Sequence, residues 1–158
     1  MNKLAILLCL LLVFNFSKSD EDYDFVDIAA YIFKGMSSNE DGKCAKVILN
    51  NKSKIKDVLT NLFNDLKNGK ELSSIMFGYG IELVAIDGMA TDCKIFALLE
   101  AVNKVMSPSG IKSIGESISN NADEIYSNFR ELKKDKGVLK KMVPLGKVLR
   151  IILNISVN

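Results

Sequence analysis

An all-α chain, folded as a compact bundle of five to seven helices, is what this sequence predicts. Three observations carry that expectation. Apolar residues recur in steps of three and four along most of the chain, strand-like alternation is scarce, and the connections between periodic runs are short. The composition fits a folded domain: 158 residues, 48% hydrophobic, 25% charged and only 2 prolines. No internal repeat is visible, and no linker is long enough to divide residues 20–158 into two domains.

Residues 1–19 read as a cleaved signal peptide. Lys3 gives a positive start, and Leu4 to Phe14 follows with Cys9 as its only polar interruption. As a helix, those residues rise about 16 Å, roughly half of a hydrocarbon core. That is short for a span and suits a signal-peptide core. Ser17 and Ser19 are small residues placed for a cut after Ser19, and the acidic run Asp20-Glu21-Asp22 follows. The expected compartment is therefore the secretory pathway or the exterior.

The first helix is expected over residues 23 to 34, with Phe25, Ile28, Ala29, Ile32 and Phe33 on one face and Gly35 as its stop. Asp41-Gly42 marks a turn. Lys43 to Leu49 forms a short helix with Cys44, Val47 and Ile48 on one side, running through Asn50-Asn51 into the next. Ile55, Val58, Leu59, Leu62, Phe63 and Leu66 then make the clearest amphipathic stripe, stopped by Asn68-Gly69.

Residues 71 to 88 are nearly all apolar or small, which predicts a central helix buried on most sides, with two short strands as the alternative. Asp92 to Met106 is the next helix, with Cys93 in its first turn and Phe96, Leu99, Val102 and Met106 facing inward. Ser107-Pro108-Ser109-Gly110 breaks the chain sharply. A near-heptad run follows through Ile111, Ile114, Ile118, Ala122, Ile125, Phe129 and Leu132, with Asn120-Asn121 as a potential interruption. The last helix is expected over Val138 to Leu153, bent or split at Pro144.

Two cysteines remain after removal of the leading segment. In an oxidising compartment Cys44 and Cys93 are expected to pair. The bridge would close a loop of roughly 50 residues, worth about 4 kcal/mol on the chain-entropy view. Asn51-Lys52-Ser53 and Asn154-Ile155-Ser156 fit the acceptor pattern for N-glycosylation at Asn51 and Asn154.

Composition also narrows the chemistry. The chain holds no His, so histidine-based acid–base catalysis and histidine metal sites are excluded. No serine sits in a nucleophile elbow. Gly78-Tyr79-Gly80 lacks the spacing of a phosphate loop, and Glu82 and Asp87 stand five apart, off a common helix face. The expectation is a protein that is not an enzyme and carries no catalytic, metal or cofactor residues.

Without Lys3 and Lys18 the cations and acids balance at 19 each, which does not suit a general nucleic-acid binder. Charge does separate along the chain. Asp20 to Asp41 holds seven acids and one Lys, and Arg130 to the end holds eight bases and two acids. Lys140, Lys141, Lys147 and Arg150, among apolar neighbours, form a basic amphipathic segment suited to an anionic membrane or a partner. The functional expectation is a secreted, non-catalytic helical protein binding a protein partner or a small apolar ligand. The alternative is a membrane-active effector using the basic C-terminal segment, with a hydrolase a distant third.

Overall fold

The computed structural model describes residues 24–38, 41–105, 107–134 and 137–158. Residues 1–19, expected to be a signal peptide, the acids from Asp20 to Asp22, and Met106 lie outside the described residues. Among those described, the protein is all-helical, with eight helices and no strand. They are α1 (Phe25–Met36), α2 (Lys43–Asn50), α3 (Lys52–Lys67), α4 (Leu72–Val84), α5 (Ile95–Val105), α6 (Pro108–Asn120), α7 (Ala122–Lys134) and α8 (Val138–Leu153).

Local chemistry sets the helix ends. At α1 the Asp24 carboxylate accepts from the Val26 N–H, while the Asp27 carboxylate accepts from the Asp24 N–H. This reciprocal capping box satisfies two orphan donors of the first turn. Ser107 Oγ accepts from the Gly110 N–H at 3.1 Å, and Pro108 takes the first helical position, where a missing N–H costs nothing. The Ser-Pro-Ser-Gly break is thus the start of α6, three residues earlier than the isoleucine run suggests.

The two Asn-Asn pairs act as the same device. Asn51 and Asn121 have φ −111° and −121°, both with ψ 24°. Each donates its backbone N–H and its side-chain amide to one carbonyl four residues back: Val47 O for Asn51, Ser117 O for Asn121. The altered ψ turns the next peptide away from the helix axis, so α2 breaks into α3 and α6 into α7. The near-heptad run from Ile111 to Leu132 is therefore two helices.

The most extensive helix pairing joins α1 to α8. It rests on Gly35 and Gly146, each of which stands against the other helix's backbone. The place a Cβ would take on Gly35 is filled by the Val143 carbonyl oxygen, and on Gly146 by the Ile32 carbonyl oxygen. The opposing Cα is 2.9 Å from that place in both directions. Glycine hydrogens thus face carbonyl oxygens reciprocally, an arrangement that supplies weak Cα–H···O attraction at close-packed helix crossings. Gly35 accordingly does not end α1, which continues to Met36. Pro144 does not split α8, which runs unbroken from Val138 to Leu153.

The core surrounds the Cys44–Cys93 disulfide, whose Cα atoms are 4.7 Å apart. Val26, Ile48, Ile55, Ile86 and Met89 pack in the same cluster. Cys93 lies in the turn before α5, not in its first turn, because Lys94 takes a left-handed conformation with φ 48°. The chain's last residues complete the core. Val157 is fully buried, its N–H donating to Met36 O and its carbonyl accepting from the Ser38 N–H. Asn158 donates to Asp92 O and accepts from the Cys44 N–H at 2.8 Å. This strap joins both sides of the disulfide.

Candidate functional site

The basic segment is a structural element first. Met142, Pro144, Gly146 and Val148 bury the apolar side of α8. Its cations meet acids of α7: Lys147 Nζ lies 3.3 Å from Glu131, and Arg150 lies 3.6 Å from Glu124. Arg150 also donates to Ser37 O at 3.1 Å, placing positive charge at the carboxyl end of α1. Lys140 is exposed and Lys141 half-buried. The acidic start of α1 is matched by α3, with Lys52 on Asp27 at 2.6 Å and Lys56 on Asp24 at 2.9 Å. Burial raises the Asp24 carboxyl, but the Lys56 hydrogen bond, the Val26 N–H and the nearby lysine charges outweigh it and hold the group below its ordinary range.

Glu82 and Asp87 are both exposed and belong to no described ion pair. A different acid is perturbed. Asp65 Oδ2 accepts from Lys70 Nζ and from the Tyr79 hydroxyl, each at 2.8 Å. The Lys70 hydrogen bond, with that from Tyr79, holds the Asp65 carboxyl below its usual range. The same bond to Asp65 raises the Tyr79 phenol. This clasp pins α4 to the end of α3 at the surface. Among the described residues no cluster of three or more His, Cys, Asp or Glu stands ready to hold a metal.

The cavities are open to solvent, and charged side chains stand in the walls of both. One of about 520 Å³ lies between α5, α6 and the end of α8, with Glu100, Lys104, Ser113, Ser117, Asn120 and Asn121 among its walls. Another of about 520 Å³, over the α1–α8 crossing, is lined by Lys34, Ser37, Ser38, Val143, Lys147 and Arg150. Ionic and amide-bearing walls of this kind suit polar contacts better than a buried apolar ligand.

Large apolar side chains are exposed away from these cavities. Phe77 is 73% exposed and Ile81 53%, one turn apart on α4, and Phe96 on α5 is 59% exposed. Ser74, Gly78 and Glu82 are also exposed on α4. Its inner side holds Ile75, Gly80 and Leu83, with Gly80 directly against Leu99 of α5. That contact sets α5 against the middle of α4, one helical turn after Phe96. These findings correct two sequence expectations: α4 is not buried on most sides, and Phe96 faces outward. Ile111, Ile118 and Phe129 are likewise exposed rather than core residues.

The acceptor asparagines differ. Asn51 is half-buried and its amide nitrogen is committed to Val47 O at 3.0 Å. Asn154 is exposed at the left-handed end of α8, with φ 52°. No family model, curated protein or solved structure matches this chain. The outward α4 face escaped the sequence reading because burial on every side and burial on one side produce the same continuous apolar run. The signal that was present is the lack of any polar stripe between Ser73 and Ala85 beyond Glu82.

Proposed function

We propose that this is an exported, non-catalytic helical protein that binds a protein partner through the Phe77–Ile81–Phe96 face. The observation that carries the reading is Phe77, exposed over 73% of its surface on a helix with almost no polar side. Large apolar side chains exposed together mark interaction surfaces more often than solvated ones. Export is supported by the leading segment and by the core disulfide, which persists in oxidising compartments. In the same reading Asn154, exposed at a helix end, is the better glycan acceptor of the two.

The apolar-ligand version draws little support from cavities that are open to solvent and edged by charged side chains. Membrane attachment through Lys140, Lys141, Lys147 and Arg150 would need α8 to withdraw Met142 and Val148 from the bundle. No helix among the described residues is long and apolar enough to cross a membrane.

The test is photo-cross-linking. A benzophenone side chain replaces Phe77 in one form of the secreted protein and Tyr126, 67% exposed on α7, in another. Position 77 should give a discrete protein adduct that the Ile81→Glu change abolishes, and position 126 should not. Equal labelling from both positions refutes a specific surface at α4.

A further inference from the structure

We infer that Asn154 carries an N-linked glycan whose first sugar, an N-acetylhexosamine, seats in the cleft between α5, α6 and the end of α8. This deepens the reading of Asn154 as the acceptor of an exported chain and rests on it. The cavity of about 520 Å³ between those helices adjoins a further one of about 370 Å³ beside α7. Ser117, Asn121, Asn154 and Ile155 stand in the walls of both, which makes one continuous cleft. The exposed acceptor is thus part of the cleft wall, and a sugar joined to its amide begins there.

Attachment is a glycosyl transfer from a lipid-diphosphate sugar donor. The Asn154 amide nitrogen bonds to the anomeric carbon and loses one proton. The carbon–oxygen bond to the diphosphate breaks, and the lipid diphosphate leaves with that electron pair. The acceptor pattern requires the Ser156 hydroxyl. In the folded chain that hydroxyl is buried with no hydrogen-bond partner among the described residues, and the Ser156 carbonyl accepts from Lys94 Nζ at 2.8 Å. Transfer therefore precedes docking of the strap, and docking then brings the sugar to the cleft.

The walls match a neutral, hydroxyl-bearing occupant. Glu100, Glu116 and Glu124 stand there with Lys104 and Arg150, a mixture that favours no ion, and Arg150 already lies 3.6 Å from Glu124. Asn121 donates its side-chain amide to Ser117 O, and Ser117 Oγ donates to Ile151 O. These bonds leave the Asn121 side-chain oxygen and the lone pairs of Ser117 Oγ to accept from ring hydroxyls. Ser113 and Asn120 are exposed in the same walls, and half-buried Ile114 and Ile155 offer apolar contact to the ring C–H face and the acetyl methyl. A covalent link removes the translational cost of association, so contacts too weak to hold a free sugar suffice for an attached one.

The test compares the protein secreted from eukaryotic cells with the same chain made where no transferase acts, both carrying Ser53→Ala to remove the acceptor pattern at Asn51. An endoglycosidase that cuts between the two innermost N-acetylglucosamines leaves one sugar on Asn154, so the two forms differ by that sugar alone. Nuclear Overhauser contacts should join its acetyl methyl to the Ile114 side chain. The thermal midpoint should rise by about 3 °C, the effect of about one added hydrogen bond. Ser113→Phe, which fills the cleft, should remove both effects, while Ser119→Phe, exposed on α6 outside these walls, should leave both. A secreted chain with no glycan at Asn154 overturns the acceptor reading and the seat with it, and leaves the α4 face to its own test. A glycan that makes no contact with Ile114, or that leaves the midpoint unchanged, overturns the seat alone. So does a contact that survives Ser113→Phe.

Discussion

Gly35→Ala is the most demanding test of the fold. The added methyl falls on the Val143 carbonyl oxygen, and neither that atom nor the Gly146 Cα, 2.9 Å from the new carbon, belongs to a flexible side chain. The helices must separate, and they form the most extensive pairing in the bundle. Inserting a methyl into a tight contact costs about 1–3 kcal/mol, and a rigid backbone obstacle places this site at the upper end. Alanine recovers about 0.5–1 kcal/mol from its greater helix propensity. The net expectation is a loss of about 2 kcal/mol, or roughly 6–8 °C in Tm for a domain of this size. Gly115→Ala on α6 is the matched control, because nothing lies within 4 Å of its new carbon. It should gain about 0.5–1 kcal/mol. Gly35→Ala with Gly146→Ala should cost less than the two losses added, since one separation accommodates both methyls. Urea unfolding followed by far-ultraviolet dichroism compares the four variants with the parent protein. Equal stability of Gly35→Ala and Gly115→Ala would refute the close crossing.

Three further outcomes follow from the packing. Val157→Ala should cost about 2 kcal/mol and speed amide exchange at Cys44 and Ser38, whose N–H groups donate to the strap; unchanged exchange there would show that the strap does not hold these turns. Replacing Cys44 and Cys93 together by alanine should lower stability by about 4 kcal/mol on the chain-entropy view, measured against the oxidised protein in the same denaturant series. With no imidazole in the chain and the Asp24 carboxyl held below its ordinary value of 3.8, the Asp24 contribution is complete above that value and disappears as pH falls through the lowered one. The urea midpoint should thus stay level between about pH 5 and 8 and drop in acid, and Asp24→Asn, which keeps an N-cap but cannot titrate, should flatten part of that acid limb.

What was readable in the sequence was what local chemistry dictates. The α8 boundaries, the α3 stripe from Ile55 to Leu66 and the interruption at Asn120-Asn121 depend on periodicity and on residues that end helices within one turn. The Cys44–Cys93 pairing followed from there being two candidates and one bond. The misreadings have one physical origin: a residue whose role depends on a distant segment carries no local mark of it. Gly35 resembles a helix stop, and only Gly146, more than a hundred residues later, makes it a contact point inside α1. Pro144 resembles a break, yet α8 continues through it where Val143 and Gly146 meet α1. The strap at Val157 had no periodic signature, because its bonds go to Met36, Ser38, Cys44 and Asp92.

The same dependence on distant segments explains where the apolar surface ends up. α8 and α4 both present more apolar surface than one neighbour can cover. α8 lies against α1, α5, α6 and α7, so its apolar residues are largely consumed within the bundle. α4 pairs chiefly with α3 and α5 at the edge, so its outer side is left over. The cations of α8 drew attention in the sequence because charge is conspicuous, but they lie on a helix whose apolar side is already satisfied. Phe77 drew none, because an apolar residue in an apolar run looks ordinary until its helix is placed. Removing Phe77 and Ile81 should therefore cost the monomer little, since both already face water, whereas Val148→Ala should cost it about 2 kcal/mol. A surface mutation that leaves stability intact and eliminates association is the signature that separates a binding face from a core.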